Sequence, residues 1–438
     1  MSRRYAVIGL GHRSQLYVDA LLGDWRDAGR LVAFCDPNRT RMGFHNDRVE
    51  AAGLERVPCY HPDELATVLA SADAVIVTTV DAVHAGYVCA ALDAGLDVVV
   101  EKPMTVDEES CAAIAEAAER SSGQLIVTFN YRYSPRNSAV REIVADGRIG
   151  EVTAVHFEWL LDTVHGADYF RRWHRRRENS GGLLVHKSTH HFDLVNWWLD
   201  SHPELVFAQT GLNFYGDTGA GAKLGPLPRP ERSHGAATLG SDPFLLDIAA
   251  DIRLKSLYLD AEHEDGYIRD QDVFTEGIDI DDTMSVLVRY ANRSVMTYSL
   301  NAYSPYEGYR VGITGTRGRL ELDVCERRWT PMDADLDPTA TASAQQDSYE
   351  RLTVQELWKR PEEIPIIQGA GGHGGGDRLL LNDVFRRPGG DPLRRQAGYR
   401  DGLRSVLTGA AANHSARTGR PIELTDAGLK LLLPADAR

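Results

Sequence analysis

Short runs that are apolar at every position, not at every second one, recur through the first third of this chain and constrain its fold more than any other feature. Tyr5 to Ile8, Leu31 to Cys35, Ala74 to Thr78, Val98 to Val100 and Leu125 to Thr128 read as strands. A strand apolar on both sides is covered on both faces, which is the condition of a parallel sheet between helical layers. Helix-period stretches lie between them at Gln15 to Leu22, Pro62 to Leu69, Ala82 to Ala94 and Val106 to Arg120. The repeat is βα, so the expectation is a doubly wound α/β half of Rossmann type.

The first strand runs into Gly9-Leu10-Gly11-His12-Arg13-Ser14, a G-x-G-x-x-G pattern with serine in the last place. Gly9 permits the tight turn, Gly11 lets backbone approach a pyrophosphate, and the helix that follows offers its amides to the charge. Ser14 offers a hydroxyl to a phosphate. Asp36 ends the next strand, where a carboxylate accepts hydrogen bonds from ribose hydroxyls and repels a 2′-phosphate; this predicts NAD over NADP. Glu101-Lys102-Pro103 follows the apolar run Val98 to Val100 and delivers a lysine where a nicotinamide would lie.

Past Asn130 the rhythm changes. A helix over Ser134 to Asp146 and a strand over Val152 to Leu161 precede a basic stretch and a helix over Gly182 to Leu199. Met284 to Tyr290, Val295 to Leu300, Arg310 to Thr314 and Arg319 to Asp323 alternate in polarity and are joined by short turns, as antiparallel strands are. The prediction is two domains, 1–129 for the dinucleotide and 130–438 as α+β with a large open, mostly antiparallel sheet. Gly216 to Asp242 and Asp333 to Gln346 read as surface insertions, and His373-Gly374-Gly375-Gly376-Asp377 as a flexible loop over the substrate.

Composition narrows the function. A formal charge of −15 argues against a nucleic-acid surface. Five scattered cysteines without a C-x-x-C pair fit a reducing, cytoplasmic compartment. The strand begins too soon after Met1 for a signal peptide, and no apolar run is long enough to cross a membrane.

The segment Gly181 to Asp193 places His186, His190 and Asp193 at i, i+4 and i+7, one face of a helix. Removing hydride from an alcohol requires a base for its proton, and histidine suits that task. His190 is assigned as general acid/base, Lys102 as the group that polarises the oxygen, and His186 as a relay. Two histidines four apart also suit zinc; no Glu follows His186 as in H-E-x-x-H, so no metal is expected. Upstream, five arginines crowd into residues 171–177. An arginine fork binds carboxylate, sulfate or phosphate, so an anionic sugar is one expectation and a solvated or subunit-bridging basic loop the other.

Together with Thr78-Thr79-Val80-Asp81-Ala82-Val83-His84, the stretch Ala94 to Pro103, Phe129-Asn130-Tyr131-Arg132-Tyr133, Gly147 to Val152, Gly181-Gly182 with His190 and Asp193, and Gly315 to Gly318, these motifs resemble the glucose-fructose oxidoreductase / inositol dehydrogenase / rhizopine-catabolism (Gfo/Idh/MocA) family over nearly the whole chain. The resemblance implies an N-terminal NAD(P) domain, a C-terminal sheet used for homo-oligomer contacts (dimer or tetramer), and oxidation or reduction of a sugar or cyclitol hydroxyl. Residues and resemblance together assign cofactor contacts to Gly9, Gly11, His12, Arg13, Ser14, Asp36, Thr79, His84, Glu101 and Lys102, and substrate contacts to Lys187, Asp193, Tyr131, Arg132, Arg172 and His174. Two departures stand out: His186 occupies the place where the family commonly has Asp, and Thr78 to Asp81 lacks the frequent proline. The activity expected is an NAD-dependent dehydrogenase of a sugar, cyclitol or glycoside. The alternative is an NAD-dependent glycoside hydrolase that oxidises, eliminates, adds water and re-reduces.

Overall fold

The computed structural model describes residues 2–330, 348–367 and 375–432. Six strands, β1 (Arg3–Ile8), β2 (Gly29–Cys35), β3 (Cys59–Tyr60), β4 (Ala74–Val77), β5 (Asp97–Val100) and β6 (Leu125–Val127), form a parallel sheet in the order β3-β2-β1-β4-β5-β6. Val75, Ile76, Val77, Val98, Val99 and Val100 are fully buried. Each such valine contributes about 1.5–3 kcal/mol of transfer free energy. The strand order reverses between β1 and β4, and ligands of open α/β sheets bind in the crevice at that switch point, outside the carboxyl ends of the strands.

The second sheet has ten strands: β7 (Val152–Asp162), β8 (Pro203–Gly211), β9 (Thr283–Tyr290), β10 (Val295–Ser304), β11 (Glu307–Gly315), β12 (Gly318–Arg327), β13 (Tyr349–Glu356), β14 (Glu362–Ile364), β15 (Ile422–Thr425) and β16 (Lys430–Leu432). Their order is β14-β13-β12-β11-β7-β10-β9-β8-β15-β16, antiparallel throughout except where β7 pairs with β10. Burial alternates along β9 and β10, so one face is core and the other solvent. Helices Thr189–Leu199 and Tyr399–Thr418 cover the apolar face and pack on each other. The second of these carries no reading from the sequence above, nor does helix Arg39–Ala51 in the first half.

Three expectations need correction. The stretch expected as one helix from Gly182 breaks into Leu183–His186 and Thr189–Leu199, with Lys187 and Ser188 as a turn between them. Gly216 to Asp242 is not a loose insertion. It belongs to an excursion between β8 and β9 whose Arg229 is clamped between Asp242 and Asp272, and whose entry is fixed by three amides, those of Asn213, Phe214 and Tyr215, on Asp282. The glycine-rich stretch does not end as a loop: Gly375 caps helix Gly376–Arg386, and Asp377 accepts a hydrogen bond from Asn130 at 2.9 Å. His373, Gly374 and the insertion Asp333 to Gln346 lie outside the described residues.

Candidate active site

A cleft of about 650 Å³ opens at the carboxyl ends of β1, β4 and β5 and is roofed by the second domain. On its floor Gly9 has φ +87°, and a Cβ there would meet the Thr79 amide nitrogen at 2.7 Å. A Cβ on Gly11 would meet only the Tyr258 hydroxyl, at 3.4 Å. The turn is thus a backbone cradle that side chains would fill, which fits a dinucleotide's pyrophosphate. Asp36 ends β2 at the same cleft and accepts the Leu10 amide at 2.6 Å and the Asn38 amide at 2.8 Å. Arg13 lines the cleft and donates Nε to Glu101 at 2.6 Å; Glu101 also accepts from the Tyr17 hydroxyl at 2.6 Å. Glu101 therefore orients the turn. His84 is buried with its ring nitrogens 2.9 Å from the Pro103 carbonyl and 3.2 Å from that of Thr79, so it ties those two loops together. Ser14 departs from expectation: its buried hydroxyl donates to the Gly11 carbonyl at 2.7 Å and meets His45 at 3.0 Å, so it is engaged in helix packing and not turned to a phosphate.

The excursion from the second domain reaches this floor. The Tyr258 hydroxyl accepts the His12 amide at 2.8 Å, Asn38 donates to the Ala261 carbonyl at 2.9 Å, and Arg41 donates to the Leu257 carbonyl at 3.0 Å while pairing with Asp265 at 2.7 Å. No local pattern in the sequence announces these contacts.

Lys102 stands at the end of β5 with Nζ 3.1 Å from the His186 carbonyl. Burial brings its ammonium down to about 8, with Asp81 pulling the other way. His186 sets Nδ1 2.5 Å from the Asp81 carboxylate. A ring nitrogen against a carboxylate carries the hydrogen, which leaves Nε2 as the acceptor. Burial and then the charge of Lys102 hold His186 well below the usual histidine range, so it is a neutral base. Asp81 was not anticipated from the sequence. It supplies, from the β4 loop, a carboxylate partner for the histidine that stands in the place of the family's Asp.

His190 lines the cleft with its ring stacked on Tyr131 at 4.2 Å. Lys187 donates to the Tyr131 hydroxyl at 3.2 Å and lies over Trp159. His174, buried, sets its ring 4.2 Å from that of His186. Lys102, His186, Lys187, His190, Tyr131, Arg172 and His174 are therefore together, as expected. Arg132 and Asp193 are not: they pair with each other at 2.6 Å, both essentially inaccessible, and neither lines the cleft. The helix break separates His186 from His190; Asp193, three residues past His190 on the same helix, is taken out of the cleft by its pairing with Arg132.

The arginine run is dispersed. Arg175 donates to Gln271, Thr275 and neighbouring carbonyls, Arg177 to Asn413 and Asp281, and Arg171 to the Phe244 carbonyl. Among these, Arg172 alone lines the cleft, donating to Asp168 at 3.1 Å. Burial, which raises Asp168, is outweighed by Arg269, Arg172 and Arg171, which hold its carboxyl well below the usual range. The stretch stitches the excursion to the core instead of forming an anion site. Three further cleft residues carried no signal in the sequence: His165, Tyr169 and Glu307.

A lysine of lowered proton affinity beside a dinucleotide cradle and a carboxylate-backed imidazole is equipment for moving hydride and proton together, which is the chemistry of nicotinamide-dependent oxidoreductases. Residues 3–129 match the family model described as "Oxidoreductase family, NAD-binding Rossmann fold", and residues 141–424 its companion, "Oxidoreductase family, C-terminal alpha/beta domain". The chain belongs to the Gfo/Idh/MocA oxidoreductase family. It is 38% identical over 368 residues, 81% of this chain and 82% of the other, to the Bacillus subtilis (strain 168) protein named "Putative oxidoreductase YteT". It is 29% identical to the inositol 2-dehydrogenase of Rhizobium meliloti (strain 1021), over 48% of this chain and 58% of that one. In fold it resembles the WlbA dehydrogenase from Bordetella pertussis in complex with NADH and UDP-GlcNAcA, with a TM-score of 0.62, 19% identity and coverage of 97% and 99% of the two chains. Among the described residues no helix is long and apolar enough to cross a membrane.

Proposed function

We propose that this protein is an NAD-dependent dehydrogenase of a secondary hydroxyl on a sugar, cyclitol or glycoside. The observation that carries the reading is the meeting of Lys102 and the Asp81–His186 pair in the cleft that begins at the Gly9 cradle. A bound dinucleotide would be held by the backbone around Gly11 and Arg13, by Asp36 and by Thr79, and its nicotinamide would supply the hydride acceptor. Lys102, as ammonium, holds and polarises the reacting oxygen. His190 takes part in the proton transfer at that oxygen, and the neutral His186, oriented by Asp81, relays the proton away. The rings of Tyr131 and Trp173 line the cleft beside these polar groups, as sugar faces require. Asp36 supports NAD over NADP, although two backbone amides already occupy its oxygens. With the arginine run dispersed, the substrate is read as uncharged at the reacting ring.

The same reading places the protein in the cytoplasm, which its five unpaired cysteines support, and makes it a homo-oligomer through the open face of the ten-stranded sheet, where Leu287 and Val295 are about half exposed. The test is to incubate purified protein with NAD and a panel of sugars, cyclitols and aryl glycosides, following reduced nicotinamide and aglycone together. Stoichiometric reduced cofactor without aglycone is expected. Aglycone release with catalytic NAD would replace this reading by the hydrolase. Sedimentation of a monomer would remove the oligomer.

A further inference from the structure

In an open α/β sheet of this kind the choice between NAD and NADP is made just past the second strand, by the residue that meets the ribose and by donors that could take a 2′-phosphate. Here the chain itself engages most of those donors. Helix Arg39–Ala51 starts just after Asp36 with amides suited to an anion. Those of Arg39 and Thr40 both donate to the Glu264 carboxylate, the latter at 2.9 Å, and the Thr40 hydroxyl joins them. The Arg41 amide donates to Asn38 Oδ1 at 3.1 Å. The Arg41 side chain lines the cleft, with Nη1 2.7 Å from Asp265 and 3.9 Å from Asp36, and it donates Nε to the Leu257 carbonyl. Its Nη2 is buried without a hydrogen-bond partner, so one donor remains. The charge around that donor disfavours a phosphate: Asp36, Asp265 and Glu264 outnumber Arg41 and the exposed Arg39, and a phosphate monoester adds about −1.5 to −2 more.

Glu264 and Asp265 do not belong to the nucleotide-binding half. They lie on helix Glu262–Asp265 in the excursion between β8 and β9, and Glu264 is 225 positions from Arg39. Arg232 fixes that helix by pairing with Glu262 and, at 2.6 Å, with Asp270, so the two carboxylates are held in place before any ligand arrives. We propose that Glu264 and Asp265 determine cofactor choice by excluding the 2′-phosphate of NADP, with Asp36 left to accept the ribose; this rests on the dinucleotide reading given above. Glu264 occupies two amides that the phosphate would use, and Asp265 neutralises the guanidinium that would pair with it. NADP has to displace both carboxylates or lie against them, and like charges brought together without a counter-ion weaken binding by orders of magnitude. The first half alone holds both an aspartate that repels the phosphate and an arginine that attracts one. The second half decides between them.

The test needs no substrate. The full-length protein is titrated with NADH and with NADPH, which differ only in the 2′-phosphate, and nicotinamide fluorescence gives the two dissociation constants. The wild type is expected to bind NADH about 100-fold or more tightly than NADPH. In the double variant Glu264→Gln/Asp265→Asn the NADPH constant is expected to fall about 10-fold or more, with NADH within about threefold of wild type. Asp265→Asn alone leaves Glu264 on its amides and is expected to tighten NADPH at least about threefold; it takes the place of the double variant if that one does not fold. Smaller values in the wild type or in the variant, or a ratio moved only by weaker NADH binding, overturn the proposal. Failure of the wild type to bind either nucleotide sinks the dinucleotide reading itself, and is seen before any variant is made.

Discussion

Two carboxylates form pairs with the segment that follows Gly182, Asp193 from within it and Asp81 from outside, and they show opposite uses of one kind of pairing. Asp193 grips Arg132 with two short hydrogen bonds in a place closed to solvent, and Asp401 adds a second carboxylate. Asp81 grips His186 at the wall of a cleft. In the first pair both charges are satisfied by each other, so removal of either leaves a buried ion. In the second, the carboxylate fixes one ring nitrogen and leaves the other for chemistry. What separates scaffold from site is the accessibility of the unused acceptor, not the residue types.

Five substitutions sharpen that contrast. Lys102→Ala is expected to lower kcat/KM by about 10³-fold or more through loss of oxygen polarisation, with folding unchanged in circular dichroism. Because burial brings the Lys102 ammonium down to about 8, activity is expected to depend on its proton at lower pH and to fall as pH rises through that value. The acid limb, set by His186, lies below the ordinary histidine range. Lys102→Arg removes the alkaline limb if the ammonium role is right, and a limb that stays at pH 8 would reassign it. Asp193→Ala is expected to cost about 3–5 kcal/mol in urea unfolding. If kcat falls while stability holds, the scaffold side of the comparison is wrong. Asp81→Asn should lower kcat by about 100-fold with KM and unfolding little changed, and equal losses of stability in the two carboxylate variants would erase the distinction. Tyr258→Phe is expected to be smallest, about 1 kcal/mol, seen as an NAD dissociation constant raised several-fold in a fluorescence titration.

The parallel half was legible because both faces of its strands are buried, and burial on both faces leaves an unbroken apolar run. Helix Arg39–Ala51 was not: Arg39, Arg41, His45, Asn46 and Arg48 blur its apolar period, and its clearest signal was Asn38, whose side chain caps the Arg41 amide. Lys102, His186 and His190 were legible from motif and spacing. Asp193 was misplaced because its partner Arg132 lies 61 positions away, a tertiary pairing that helical spacing does not show. Asp81, Tyr169 and Glu307 come from three separate elements whose meeting is set by tertiary packing, so periodicity holds no trace of them. Arginines 171–177 read as a charge cluster because sequence counts neighbours along the chain, whereas their partners lie up to 236 positions away.

The hydrogen bond from the His12 amide to Tyr258 joins residues 246 positions apart. Loops of that length close late and slowly compared with the neighbouring βα contacts that build the first sheet. The N-terminal half therefore has what it requires to form its strands early, while its nucleotide cradle gains its last wall only when the excursion arrives. Acquisition of NAD affinity during refolding would report the docking of the two halves, after the recovery of helical signal.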